Sequence, residues 1–331
     1  IDIAAIKADP RRKALAILSG VTALFVVLAT LALMQRGGET AIKYAPRLLF
    51  PGLQQQLDML AEIDITDALG TLHVKGSDAG WVVAERDNFP ASIDQIRATA
   101  VGMSELELVE PKTANPEFLD ALNLSAPEKK GRAIKISLRD KTGKILAEAF
   151  FGKTTQTSDS LGRTGVYVRR LNENQAYLAR GYVMASSAVG DWLAKNVVSV
   201  GRERIQTVSS QPVSGAAYTV TREAKDQPDF RLVDIPKGRA IAYDSAPDGI
   251  AAAVTGFTFE DVKKASAFDF SKATVVTTRT FDGLSVSVRV IEKMDNGEKT
   301  YWAVVAAQAE SAEAQAEASL INTRAKDWAF Q

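Results

Sequence analysis

The 331-residue chain has no cysteine and a single histidine, His73. The first absence excludes disulfide staples, thiolate metal sites and cysteine nucleophiles, and it neither demands nor forbids an oxidising compartment. The second means that any Ser-His-Asp arrangement must use His73, and no Gly-x-Ser-x-Gly elbow accompanies it. A lone histidine in a strand reads as a surface or structurally satisfied residue. Only carboxylate metal sites remain, yet the chain has no Asp-x-Asp-x-Asp-Gly loop. A Walker motif is missing, as is a Gly-x-Gly-x-x-Gly after a strand. An excess of one charge is missing too. Forty basic and forty acidic residues cancel, so no global field recruits nucleic acid. These absences lead to the expectation of a protein that is not an enzyme, with no catalytic, cofactor-binding or metal-binding residue to name and no cofactor.

What the chain does have is an apolar run. Ala14 to Met34 is a stretch of 21 residues without a charge. A helix of that length covers the roughly 30 Å hydrocarbon core of a bilayer. A cleaved signal peptide needs a shorter core and a small-x-small exit, and Leu31-Ala32-Leu33-Met34-Gln35 is a poor one. A buried core helix carries polar residues on one face, whereas only Ser19, Thr22 and Thr30 interrupt this run. A transmembrane helix over residues 14–34, in contact with membrane lipid, is therefore expected. Lys7, Arg11, Arg12 and Lys13 precede it, and Arg36, Lys43 and Arg47 follow at wider spacing. The positive-inside bias then makes residues 1–13 cytoplasmic and residues 35–52 a juxtamembrane linker. The expected location is a bacterial inner membrane, crossed once, with the bulk of the chain in the periplasm.

Beyond residue 52 the same order of elements is legible twice. Ile63–Thr66, Thr71–Val74 and Trp81–Ala84 alternate like strands, and Ser92–Gly102 reads as a helix with Ser92 as cap and Gly102 as stop. Leu106–Val109 follows as a strand. The second pass runs through Arg204–Val208, Tyr218–Thr221, Phe230–Val233, a helix near Ser245–Thr255, and Phe257-Thr258-Phe259 in place of Leu106–Leu108. Each half ends in a hairpin turned at Gly143 or at Asp282-Gly283, where glycine supplies the positive φ of the turn, and in a last strand. With 46% hydrophobic residues there is material for two cores. The expected fold class is α+β: an N-terminal transmembrane helix, then two similar α+β domains with mainly antiparallel sheets, at 53–190 and 191–331.

Three segments stand out as a candidate interface. Phe50 and Pro51 lie in an apolar stretch just past the expected membrane span. Lys112, Thr113 and Asn115 sit in a rigid loop between Pro111 and Pro116. Arg169 and Arg170 end a strand, where a guanidinium can clamp a carboxylate or phosphate bidentately.

Leu49–Leu53, Gly80–Val83, Glu110–Pro116, Tyr167–Arg170, Asp191–Leu193 and Phe257–Val262, in that order, resemble a proteobacterial family of uncharacterised single-pass membrane proteins classed as a domain of unknown function. Its members are typically encoded beside an ABC transporter of the gliding-motility type. The resemblance implies a non-catalytic accessory subunit whose partners are the transporter permease and ATPase and a second subunit with an extracytoplasmic domain. It carries over no catalytic residue. The competing expectation is a stand-alone envelope module that binds polysaccharide, lipid or peptidoglycan fragments, for which a deep apolar groove between the two domains would speak. A broad exposed apolar patch would favour the subunit. An enzyme using only carboxylates would need two of them convergent in a cleft.

Overall fold

Alternation at period two converts directly into the two faces of a sheet. On Leu60–Thr66 and Thr71–Ser77, Ile63 lies opposite Val74 and Ile65 opposite Leu72, and all four are buried. The intervening positions set Glu62 opposite Lys75 and Asp64 opposite His73 on the other face.

The computed structural model describes residues 18–31, 45–155 and 164–331, apart from positions 234, 236, 237, 239, 242, 244 and 296. A first sheet holds ten strands: β1 (Arg47–Leu48), β2 (Leu60–Thr66), β3 (Thr71–Ser77), β4 (Gly80–Val83), β5 (Phe89–Pro90), β6 (Glu107–Pro111), β7 (Ile134–Asp140), β8 (Ile145–Thr155), β9 (Gly165–Arg170) and β10 (Ala176–Arg180). A second holds eight: β11 (Ile205–Gln211), β12 (Tyr218–Thr221), β13 (Arg231–Val233), β14 (Val262–Lys264), β15 (Thr274–Thr280), β16 (Leu284–Asp295), β17 (Glu298–Ala309) and β18 (Trp328–Phe330). The helices are α1 (residues 18–31), α2 (Ile93–Glu105), α3 (Val189–Trp192), α4 (Ala246–Ala251) and α5 (Gln315–Ala325).

The spatial order is β1-β6-β10-β9-β8-β7-β2-β3-β4-β5 in sheet one and β13-β12-β11-β15-β16-β17-β18-β14 in sheet two. Every strand pairing is antiparallel. With β1 and β5 set aside, β4-β3-β2-β7-β8-β9-β10-β6 matches the second order strand for strand. Helices α2 and α4 hold equivalent places, each leading toward the strand that returns to the far edge. Helix α5 is an addition of the second half, inserted between β17 and β18. Buried side chains of both sheets, Ile63 and Val208 among them, form one continuous core.

This architecture corrects the expected α+β class. The described chain is built from two antiparallel sheets with few helices, and after α1 only α2 and α5 exceed two turns. The N-terminal transmembrane helix is corrected with it. The described part of helix α1 is residues 18–31, about 21 Å at 1.5 Å per residue, against a core of roughly 30 Å. Ser19, Gly20, Thr22 and Thr30 also dilute its apolar surface. Among the described residues no helix is long and apolar enough to cross a membrane. The ends of the apolar run, the 1–13 segment and linker positions 35–44 lie outside the described residues.

Two local expectations also change. Gly102 does not stop α2, which continues to Glu105. Its missing side chain serves a close approach instead, because a Cβ there would sit 2.4 Å from the Tyr182 carbonyl oxygen. Phe257-Thr258-Phe259 is not a strand, and β14 at Val262–Lys264 takes that role.

Helix α5 is tied to the β-sheet by the Asn322 side chain, which exchanges two hydrogen bonds with the Ala307 backbone (2.7 and 2.8 Å), and by one guanidinium. Arg204, just ahead of β11, donates to Glu317 on α5 through Nη1 (3.0 Å) and Nη2 (2.6 Å), and to Asp282 in the β15–β16 turn through Nε (2.8 Å). Bonding to Glu317, with help from Asp282, outweighs burial and raises the Arg204 pKa. Hydrogen bonds to charged groups contribute about 1.5–3 kcal/mol. Arg204→Ala is therefore expected to lower the unfolding free energy by about that amount in denaturant titration, whereas Arg97→Ala on the exposed face of α2 should change it by under about 0.5 kcal/mol.

Candidate partner-binding site at the junction of the two sheets

Phe89 stands on β5, the edge strand of sheet one, and is 2% exposed. Its ring meets three rings of sheet two edge-on: Trp328 at 5.0 Å and 90°, Phe259 at 5.9 Å and 87°, and Phe330 at 6.2 Å and 78°. Phe330 in turn packs on Phe259 (4.8 Å) and Phe257 (5.7 Å). Such T-shaped pairs place the positive ring edge against a negative face and add about 0.5–1.5 kcal/mol each beyond area burial. The Trp328-x-Phe330 and Phe257-x-Phe259 spacings aim two rings from each segment into this cluster.

Backbone contacts close the joint. Ala91 bridges Leu193, the Ser92 amide donates to the Trp192 carbonyl (2.8 Å), and the Ala194 amide donates to the Pro90 carbonyl (3.0 Å). Trp192 is fully buried, its indole N–H donating to the Ser186 carbonyl at 2.9 Å. Gly190 lies so close to Glu260 that a Cβ would stand 2.6 Å from the Glu260 carbonyl oxygen. Lys195 donates to the Phe259 carbonyl and holds its ammonium 4.8 Å from the Phe259 ring centre.

A polar cleft of about 450 Å³ opens over this joint, walled by Glu85 and Arg86 from sheet one and by Asp261, Lys263 and Lys264 from sheet two. Several of its charges are engaged. Arg86 grips Asp261 through two guanidinium nitrogens, and Lys264 sits 3.5 Å from the ring centre of Trp328. Glu85 accepts from the His73 amide (2.9 Å) and pairs with His73 Nδ1 (2.5 Å). Burial pushes the Glu85 carboxyl up, but its bonds to His73 prevail and leave it below the ordinary carboxylate value. Among the described residues no group of three or more His, Asp or Glu side chains is arranged to hold a metal ion.

A family model described as a domain of unknown function (DUF4340) matches residues 81–272, more than half of the 331. The chain belongs to that family. Neither a curated protein nor a solved structure matches it. The DUF4340 match begins in β4 and ends before β15, so it takes in Phe89, Arg86, Trp192, Phe259 and Asp261 and runs across the joint.

The candidate interface residues named from sequence lie away from this junction. Phe50 is half-buried against the main core and Pro51 is exposed. Lys112 pairs with Glu110 (2.7 Å), the Thr113 carbonyl accepts the Ala176 amide (2.7 Å), and the Asn115 side chain caps the Glu117 amide (3.1 Å). Arg169 is buried, donating to the Leu124 and Glu173 carbonyls, with Phe150 4.4 Å beneath its guanidinium. Burial lowers its pKa, against the pull of Glu128. Arg170 donates to the Leu49 carbonyl (2.8 Å) and to Glu173 (3.3 Å). Leu49 links Arg170 to the Phe50–Pro51 segment; the 112–115 loop pairs with β10 instead. Sequence reading missed Phe89, Arg86, Trp328 and Phe330. The alternating aromatic pairs were the available signal.

Deleting a buried phenylalanine typically costs 3–5 kcal/mol. Phe89→Ala is expected to destabilise the fold by about that much, and limited proteolysis is expected to cut between residues 181 and 204 in the variant first. The Glu85 contribution has a pH signature. Its folded pKa lies below the ordinary 4.5, so its stabilisation is complete above that value and disappears as pH falls through the folded one. The melting-temperature gap between wild type and Glu85→Gln should therefore close on acidification from neutral pH to below about pH 4.

Proposed function

We propose that this chain is a non-catalytic scaffolding subunit that works within an ABC-transporter complex of the gliding-motility type. In that complex it holds the permease, the ATPase and a second extracytoplasmic subunit in register. The observation that carries this reading is the joint: two sheets fused by interlocking rings present one rigid platform. A groove between the sheets that would suit a free-standing apolar-ligand module is instead filled by Phe89, Phe259 and Phe330. In the cleft above it Arg86 and Asp261 hold each other and Glu85 is held by His73, which suits a structural role better than proton transfer.

Among the described residues no strand covers the outer edge of β13. Strand β13 ends sheet two, and Val233 on it, Ile235 beyond it and Tyr218 on neighbouring β12 are all exposed. An unpaired strand edge with apolar side chains is a ready surface for a partner strand.

Affinity capture of the tagged full chain from native membranes tests the reading. Stoichiometric permease and ATPase are expected in the eluate. Val233→Glu with Tyr218→Glu should cut their recovery about tenfold while moving stability by under about 0.5 kcal/mol per site, as surface changes do. A chain that elutes alone from several mild detergents overturns the proposal.

A further inference from the structure

A second cavity lies where the start of β2, the β3–β4 hairpin and the β7–β8 turn meet. Its volume is about 730 Å³, within the 300–1,000 Å³ typical of small-ligand sites. Three features build it. Trp81 on β4 lies opposite Gly76 on β3, so its cross-strand neighbour has no side chain to cover the indole. Ala61 lies next to Gly76 on β2, its carbonyl 3.4 Å from where a Gly76 Cβ would be, which continues a small-residue floor. The β7–β8 turn, Asp140 to Gly143, forms the opposite wall. That wall is stiff, because Asp140 Oδ1 accepts from the Thr142 amide (2.8 Å), the Thr142 hydroxyl (2.6 Å) and the Lys144 amide (3.1 Å).

The rim offers mixed hydrogen-bonding capacity. Among the described residues the Trp81 indole N–H, the Asp78 carboxylate and the Lys141 ammonium have no hydrogen-bond or ion-pair partner, although all three line the cavity. The neighbouring Glu62 and Lys75 neutralise each other at 3.0 Å. Donors and acceptors are thus both free, and with Asp140 the lining carries one more carboxylate than ammonium groups, which disfavours an anionic ligand. An aromatic plane beside such a rim suits a ligand with an apolar C–H face and hydroxyls around its edge.

We infer that the Trp81 cleft binds a neutral saccharide, one pyranose ring seated on the indole with its hydroxyls reaching Asp78 and Lys141. This does not rest on the transporter reading, and either can fail alone.

The probes are maltotriose, cellotriose and N,N′,N″-triacetylchitotriose, titrated into the full chain and followed by calorimetry and tryptophan fluorescence. Saturable binding of at least one is expected, weakened tenfold or more by Trp81→Ala. Trp81→Phe keeps an aromatic plane and should stay within about threefold of wild type. Gly76→Val provides the control for folding. Valine suits a strand, and at 3.4 Å from the Ala61 carbonyl its Cβ makes ordinary contact. The variant should keep the wild-type melting temperature and lose binding, because its side chain covers the indole. No saturable binding of any of the three sugars overturns the proposal. So does binding that survives both Trp81→Ala and Gly76→Val, or a preference for a charged oligosaccharide over all three.

Discussion

The packing of Phe89 against Phe259, Trp328 and Phe330 is the contact on which the rest of the molecule depends. Each sheet ends in short strands at this place, β5 on one side and β14 with β18 on the other, and two- or three-residue strands cannot hold a sheet edge alone. The rings bury Phe89, Val262 and Phe330 at those edges, while Pro90 and Lys263 stay exposed. They also unite two half-cores into one. The backbone crosses the same point, with residues 190–196 laid along β5, so the connection between the halves is a structural member of both.

A cysteine-free chain of this size must fasten its loops by other means, and here arginine does it. Arg222 is buried and donates to the carbonyls of Ile205, Gln227, Arg202 and Glu203, with Phe230 4.9 Å away as a stacking surface. Arg169 and Arg170 do the same in sheet one for the 124, 173 and 49 carbonyls. Arg324 reaches the Asn196 carbonyl from α5. A guanidinium offers five donors in a fixed fork, so one side chain gathers several loop carbonyls that would otherwise be orphaned. Burial opposes this by disfavouring the charge, which lowers the pKa of Arg169 and Arg222, yet those groups stay cationic and hydrogen-bonded. The paired arginines that look like anion clamps in the sequence are therefore engaged with the chain itself.

This economy shapes the functional reading. Where charges are consumed by neighbours, as with Arg86 and Asp261 or Asp64 and Arg139 (2.7 Å), they lend stiffness. Where they are left over, as with Asp78 and Lys141 near Trp81, they are the groups able to meet something else. The DUF4340 match runs across the joint between the two sheets.

Local pattern carried much of the strand content. The alternation of Ile63, Ile65, Leu72 and Val74 and the Asp282-Gly283 turn were legible because a half-buried strand and a tight hairpin are each specified by residues adjacent in the chain. So was the repeated order of elements, which both sheets display strand for strand. Strands β10 and β18 escaped notice because Ala176–Arg180 is buried almost throughout and Trp328–Phe330 is three residues long, so neither alternates. The apolar run at 14–34 set the expectation of a membrane span from composition alone, and among the described residues no helix is long and apolar enough to cross a membrane. The junction was decided by tertiary structure alone. Phe89 and Trp328 are separated by more than two hundred residues, and only the meeting of two sheet edges puts their rings 5.0 Å apart. Periodicity reports the face on which a side chain lies, and the partner of that face is set by how the sheets close.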